Sequence, residues 1–450
     1  MIHISDSAIY GDIWASTEMK AIFTEESRLQ GWLEVIAVLA EAQDELGLIP
    51  SGVSPAIRAV CLGELVDWER VHQDYRLTGH SLMGIIRELK RLAGDPAGEW
   101  VCYGATVQDI TDTWMSMALK QAWGIINEDL RAILAILLEL ARVHKDTPMA
   151  GRTHGQEGLQ ITFGFKVAVW CAEIRRHLAR FASLQERLGE GQLCGGVGSL
   201  SSFGDRGFAL QERFMAKLGL RAPVISWINS RDVLVEYLYD LTLIGNTCDK
   251  LAHEVYNLQR SEIGELAEGR EFGQIGSITM PHKRNPELAE HIGVLARQIR
   301  QGAHACSENM VWDHERDGRS WKSEWAWIPV LFVYMGALLK HTMNLFTGLE
   351  VNHDRMLENL MSTGGLVCSE AVMLRLAQKI GKQNAHEVVY RVAVEAQSGG
   401  SSFSEALRQD GLVRQYLSEE ELTELLQPGS AVGLSVEFVE RVLGEAEREL

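Results

Sequence analysis

The sequence has 450 residues, room for two or three domains with a sizeable buried core. Hydrophobic residues make up 46% and charged residues 23%, the balance of a globular protein. The formal net charge of −18 argues against a nucleic-acid-binding protein, which needs a basic surface for phosphate. It leaves anionic small molecules open, because a local cluster of Lys, Arg and helix N-termini binds them on an acidic protein.

The seven cysteines (Cys61, Cys102, Cys171, Cys194, Cys248, Cys306 and Cys368) are dispersed, with no CxxC and no paired spacing. That pattern predicts reduced, buried thiols and a cytoplasmic protein. The opening residues, Met-Ile-His-Ile-Ser-Asp, lack the basic start and apolar stretch of a signal peptide. The longest uncharged run, residues 325–339, is too short to span a bilayer and contains Pro329, so it predicts a buried helix.

In chain order, five long tracts without a breaker carry apolar residues at helical spacing. Residues 111–145 are the first, from Trp114, Met117 and Leu119 to Ile136, Leu140 and Val143. Residues 161–188 follow, with Arg175, Arg176 and Arg180 on a polar face; the others are 231–268, 285–310 and 325–349. Helices of this length point to a bundle. No alternating strand pattern of useful length occurs, so the predicted fold class is all-α. The predicted division is 1–110, 111–352 and 353–450, the middle segment being the bundle. The Gly/Ser-rich residues 189–204 lack the GK[ST] ending of a phosphate-binding loop and read as a flexible crossover between two tracts.

One segment is unlike a solvated turn. Residues 276–290, GSITMPHKRNPELAE, lie between two long tracts and crowd Ser277, Thr279, His282, Lys283, Arg284 and Asn285 together. Gly273, Gly276 and Pro281 predict a mobile loop, and Pro286 is suited to begin the next helix. Such a loop can close over an anion, with Lys283 and Asn285 as donors.

This segment resembles the signature loop of the fumarase/aspartase superfamily, GSSxMPxKxNP, with seven of its eight fixed letters in place. Two more segments match in the expected order: YGATVQDITDT (103–113), and GRTHGQ (151–156) followed by ITFGFK (161–166). The resemblance extends to GLVCSEAV and AHEVV near the C-terminus and so covers essentially the whole chain. It implies a three-domain, all-α fold whose long helices form the centre of a homotetramer, each site drawing on three chains. It also implies a small dicarboxylate substrate, no cofactor, no metal, and neither nucleic acid nor membrane as partner.

Superfamily members take a proton from the carbon beside a carboxylate and expel a leaving group from the next carbon. The carbanion must be held as a doubly charged aci-carboxylate, which calls for a base, fixed donors and an acid for the leaving group. The resemblance implies that Ser277, six positions before Lys283, is the base, and that Lys283 and Asn285 hold the carboxylate whose charge grows. A serine is a weak base, so loop closure and nearby positive charge must favour its alkoxide. His154 corresponds to the acid of the carbon–nitrogen lyases and Glu290 to the glutamate that orients it. His80 and Thr106 correspond to substrate contacts, the latter at the start of a long helix. Thr153, Gln156, Arg231, Trp321 and Lys322 complete the expected binding set.

Within the superfamily the chain resembles adenylosuccinate lyases and carboxymuconate cycloisomerases. His154 favours the carbon–nitrogen lyases. HERDGRSWKSEW (314–325) opens like an adenylosuccinate lyase, but Trp321, Lys322 and Trp325 stand where those enzymes carry a phosphate-gripping Ser-Ser-x-x-Arg. An Arg-Tyr pair is replaced by Ile13-Trp14, and two serines by Val107 and Ile278. A nucleotide-phosphate site would lose much affinity with two arginines gone. Three readings follow: an enzyme splitting an N-substituted aspartate into fumarate and an amine, a lactonising enzyme for a carboxylated muconate, and a non-catalytic relative. The intact Ser277, His154, Lys283, Asn285 and Glu290 disfavour the third.

Overall fold

The computed structural model describes residues 3–449 except 271, 272, 274, 275 and 277. All five tracts are helices: Val107–Val143, Phe163–Leu188, Asp232–Leu258, Glu287–Ser307 and Gly318–Thr347. The predicted boundaries near 110 and 352 fall at the start of Val107–Val143 and just before His353–Ser362. By their internal packing the residues form two compact units that interleave along the chain: Met1–Asp129, His177–Asn246 and Val294–Lys340 in one, Leu130–Arg176, Thr247–Gly293 and His341–Leu450 in the other.

In the first unit, helix Glu25–Glu45 starts at Thr24, whose side chain accepts from the Ser27 amide, and buries Leu33, Ile36, Ala37 and Leu39. Helix Val53–Val60 packs on it, and Arg58 donates to Glu41 at 2.7 Å. The opening turns of Val107–Val143 bury Ile110, Trp114, Ala118 and Ala122. Residues 189–204 differ from the flexible crossover expected of them. The Cys194 and Gly195 amides donate to the fully buried Asp109 carboxylate at 2.8 and 3.1 Å, and Thr113 exchanges hydrogen bonds with Gln192. Burial pushes the Asp109 carboxyl up to about 6 against the amides that favour its charge. The glycines here let the backbone lie close to the helix; composition alone read them as slack.

The second unit holds a correction to the all-helical picture in detail. Strands Pro148–Thr153 and Gln156–Thr162 pair antiparallel, with an irregular register at Gly151/Arg152. The bulge and the glycines break the period-two pattern, which hid the hairpin in the sequence. Leu266–Ala267 and Glu350–Val351 form a second short pair. The C-terminal helices close around Val372, Leu376, Val389, Phe403 and Leu407. All seven cysteines are unpaired and six of them buried, as the dispersed spacing predicts. The uncharged run 325–339 lies inside Gly318–Thr347, which by length and composition alone could cross a membrane; 67% of its most apolar window is buried in the structure.

Candidate active site

In the second unit, the hairpin presents His154 at its tip. Thr153 pairs with Gln156, leaving His154 and Gly155 as the two turn residues, with φ of 54° and 75°. Positive φ at both is the requirement of the turn that matches strand twist, and a non-glycine there is strained. The sequence accepts that strain to place an imidazole on an exposed corner. The base of the hairpin is rigid. Arg152 grips the buried Glu265 with both terminal nitrogens, at 2.9 and 2.6 Å, and Glu265 also accepts from Asn359 at 2.8 Å. Gln160 donates to Cys368 and accepts from the Gly429 amide, tying the second strand to the C-terminal helices.

The same unit carries the loop. Ser277 lies outside the described residues. Among the described residues, Gly276 and the C-terminal side of the loop are held by hydrogen bonds. Asn285 donates through Nδ2 to the Gly276 carbonyl at 2.8 Å, and the Lys283 amide to the Met280 carbonyl at 3.0 Å. A Cβ at Gly276 would stand 2.3 Å from the Lys283 carbonyl oxygen, so only glycine fits this approach. Arg284 forks onto Glu350 at 3.0 and 2.8 Å and donates to the Glu268 carbonyl at 2.7 Å. That guanidinium holds the Glu350 carboxyl below the usual range. The Glu268 carboxylate accepts from the Leu288 and Ala289 amides and so caps helix Glu287–Ser307, although burial raises its pKa. Lys283 and Glu290 are both exposed, Glu290 in the first turn of that helix. Among the described residues no hydrogen bond joins Glu290 to His154 within one chain.

In the first unit three of the expected residues gather at a cavity of about 1100 Å³. His80, Trp321 and Lys322 line it; Thr106 is not in the lining but precedes Val107, which is, and is bonded to Arg316 of the wall. The Thr106 hydroxyl accepts from Arg316 Nη1 at 3.0 Å, and its amide donates to Asp109 at 2.9 Å. Trp321 and Trp325 meet edge to face, with centroids 4.8 Å apart. Trp32, Trp68 and Trp114 add to the lining, giving an aromatic wall with basic groups set into it.

Arg231 departs from its expected role in binding substrate. It is 2% exposed, and its guanidinium is fully committed to protein carboxylates. It donates to Asp112 at 2.9 and 3.2 Å and to Glu324 at 2.9 and 2.8 Å, between the rings of Trp227 and Trp312 at 5.0 Å each. Asp112 and Glu324 face the cavity, so Arg231 is a support behind the wall. Burial pushes the Glu324 carboxyl up to about 7 despite that partner. Arg316 and Thr111, also on the wall, received no role from the sequence, although HERD and QDITDT contain them.

Comparison with known proteins agrees with this architecture. A lyase family model matches residues 14–301, and a model of the adenylosuccinate lyase C-terminus matches residues 365–442. An N-acetyl-S-(2-succino)cysteine lyase of Enterococcus italicus is 38% identical over 98% of this chain and 97% of its own. An adenylosuccinate lyase of Pyrococcus abyssi is also 38% identical, over 96% of each chain. The structure of a 3-carboxy-cis,cis-muconate lactonizing enzyme from Pseudomonas putida superposes with a TM-score of 0.92 at 31% identity, covering 98% of this chain and 99% of that one. The chain belongs to the fumarase/aspartase superfamily of lyases. Its place there is the branch that holds adenylosuccinate lyase and the carboxymuconate cycloisomerases.

Proposed function

We propose that this enzyme eliminates fumarate from a succinyl conjugate, a succinate carrying an amine or thiol on one methylene carbon, and that its natural substrate is not the nucleotide adenylosuccinate. Ser277 takes the proton from the carbon beside one carboxylate. The electron pair passes into that carboxylate, where Lys283 and Asn285 meet the added charge. The bond from the next carbon to nitrogen or sulfur then breaks with its electron pair, and His154 supplies the proton that the leaving group needs. Glu290 orients His154. Because those two side chains do not meet within one chain, the site is proposed to form between copies in a homotetramer. The reduced thiols support a cytoplasmic setting.

The observation that carries the reading is the pairing of two preorganised devices: a loop pinned at Gly276, Lys283 and Asn285, and a strained turn that offers His154. Sulfur as the leaving atom is favoured by the match to the Enterococcus italicus enzyme along nearly the whole chain. The aromatic wall with Trp321 and Trp325 supports a leaving group other than a nucleotide. A lactonising reaction on a carboxylated muconate is the second reading, supported by the superposition on the Pseudomonas putida enzyme. The test is to supply N-acetyl-S-(2-succino)cysteine, adenylosuccinate and 3-carboxymuconate separately and to follow fumarate by ultraviolet absorbance. Fumarate from the thioether, with turnover of adenylosuccinate far below the usual enzyme efficiency of about 10⁴ M⁻¹s⁻¹, is expected. Lactone from the muconate and no fumarate from either conjugate would replace the proposal with the second reading.

A further inference from the structure

Helix Glu25–Glu45 carries a single glycine, Gly31, well inside its first half. Glycine weakens a helix interior relative to alanine, so its presence there calls for a reason. The reason is a close approach. A Cβ at Gly31 would stand 2.5 Å from Nε1 of Trp114 and closer still to its Cδ1. The pyrrole edge of that indole, sent from helix Val107–Val143, therefore rests on bare backbone. Both residues belong to the first unit, and Trp114, though buried, is part of the lining of its cavity.

The cavity is more than a small conjugate needs. Its 1100 Å³ lies at the top of the range of roughly 300–1,000 Å³ that suits drug-sized ligands. Much of its fixed charge is already spent within the wall: Asp112 and Glu324 on Arg231, and Arg28 on Glu25. Arg28 also lies over the Trp32 ring at 5.5 Å. What the wall offers a ligand is flat apolar area, from Trp32, Trp68, Trp114, Trp321 and Trp325.

We propose that Gly31 is a specificity-determining residue: by seating the Trp114 indole against helix backbone, it keeps the cavity deep enough for a leaving group with a flat, bulky apolar body, an aryl or heteroaryl thiol or amine. This rests on the succinyl-conjugate reading and names the half of the conjugate which that reading leaves open. Gly31 is not itself in the cavity lining and acts through Trp114. A Cβ at position 31 drives the ring off its seat, and the open space beside the ring is the cavity it lines. Alanine there makes the cavity shallower and leaves every charged group of the wall in place.

Two unreactive probes read this without turnover: benzylsuccinate, with a methylene in place of the leaving atom and a phenyl ring beyond it, and methylsuccinate, which lacks the ring. Each is titrated by calorimetry into the full-length wild type, Gly31→Ala, Trp114→Ala and the double variant. The wild type is expected to bind benzylsuccinate roughly 10- to 100-fold more tightly than methylsuccinate. Gly31→Ala should cut that preference to about threefold or less, with methylsuccinate unchanged within about twofold. Trp114→Ala should weaken benzylsuccinate roughly 3- to 10-fold, and adding Gly31→Ala to it should change nothing beyond about twofold, because no ring is left to displace. The proposal is overturned by failure of the probes to bind the wild type, by no wild-type preference, by equal loss of both probes in Gly31→Ala, or by a Gly31→Ala penalty that persists without the indole. Melting temperatures show which variants fold. If Gly31→Ala does not, a double variant that folds and binds like Trp114→Ala supports the seat, and one that stays unfolded overturns it. Fumarate release from N-acetyl-S-(2-succino)cysteine by the same wild-type preparation separates the two ideas. Release without a preference for the ring leaves the reaction standing and removes the inference; a preference that depends on Gly31, without release, does the converse.

Discussion

Replacing Arg231 with Met keeps much of the volume but removes the charge that holds Asp112 and Glu324 in the interior, at 4% and 5% exposure. Breaking a buried ion pair from one side costs about 3–5 kcal/mol, because the remaining carboxylates have no water to replace the lost partner. Unfolding entropy of about 2.1 cal/mol/K per residue gives roughly 0.9 kcal/mol/K for a chain of this length, so the melting temperature should fall by about 3–6 °C near pH 8. The loss must also depend on pH. In the wild type the Glu324 carboxyl is pushed up to about 7, above the value near 4.5 of an unfolded chain. Folding therefore favours its protonated form, and wild-type stability declines as pH rises from about 4.5 to 7, by about 3 kcal/mol in all. Arg231 is the group that opposes this rise, so without it the folded-state pKa climbs further and the decline extends to higher pH. At pH 5 the variant should lose less than half of what it loses at pH 8. Differential scanning calorimetry of both proteins at these two pH values is the assay. An equal drop at both, or none at pH 8, would refute the view that Arg231 neutralises buried carboxylates.

Three further outcomes follow from the second unit. Gly276→Ala forces a Cβ to within 2.3 Å of the Lys283 carbonyl; the loop must shift, so kcat should fall at least tenfold with the melting temperature within about 2 °C of wild type, as kinetics and calorimetry will show. His154→Gln should slow conjugates of basic amines more than those of thiols, whose thiolates are better leaving groups and lean less on an acid; equal losses across such a series would assign His154 to binding alone. Ser277→Ala should lower kcat by about 10²–10⁴ while the fluorescence-detected affinity for fumarate stays near wild type, and a residual rate above about a tenth would move the base elsewhere.

The long helices were legible because each buries one face over many turns, and the apolar spacing of 111–145 or 325–349 records that directly. The loop was legible through its resemblance to the superfamily signature, seven of whose eight fixed letters stand at residues 276–286. What stayed hidden depends on partners distant in sequence. Arg231 pairs with residues 119 and 93 positions away, so nothing around it distinguishes a buried support from a substrate ligand. The glycines of 189–204 read as slack until the Asp109 carboxylate, 85 positions before Cys194, is seen to order them. The hairpin was masked by its bulge, although His154-Gly155 between two short runs was a turn signal that could have been read. Thr111 and Arg316 stood inside quoted motifs, but only the structure places them on the cavity wall.

The central claim is that the enzyme makes and breaks the bond between a succinyl carbon and a nitrogen or sulfur atom, with proton transfer at the neighbouring carbon. Running the reaction backwards in deuterated water tests it most directly. Fumarate and N-acetylcysteine are mixed with the enzyme and the adduct is followed by proton NMR against an enzyme-free control. The account predicts enzyme-dependent formation of one diastereomer, with a single deuterium on the carbon next to the newly bonded one. Adduct at only the control rate and as a diastereomer mixture, with small amines also failing to add, would contradict it.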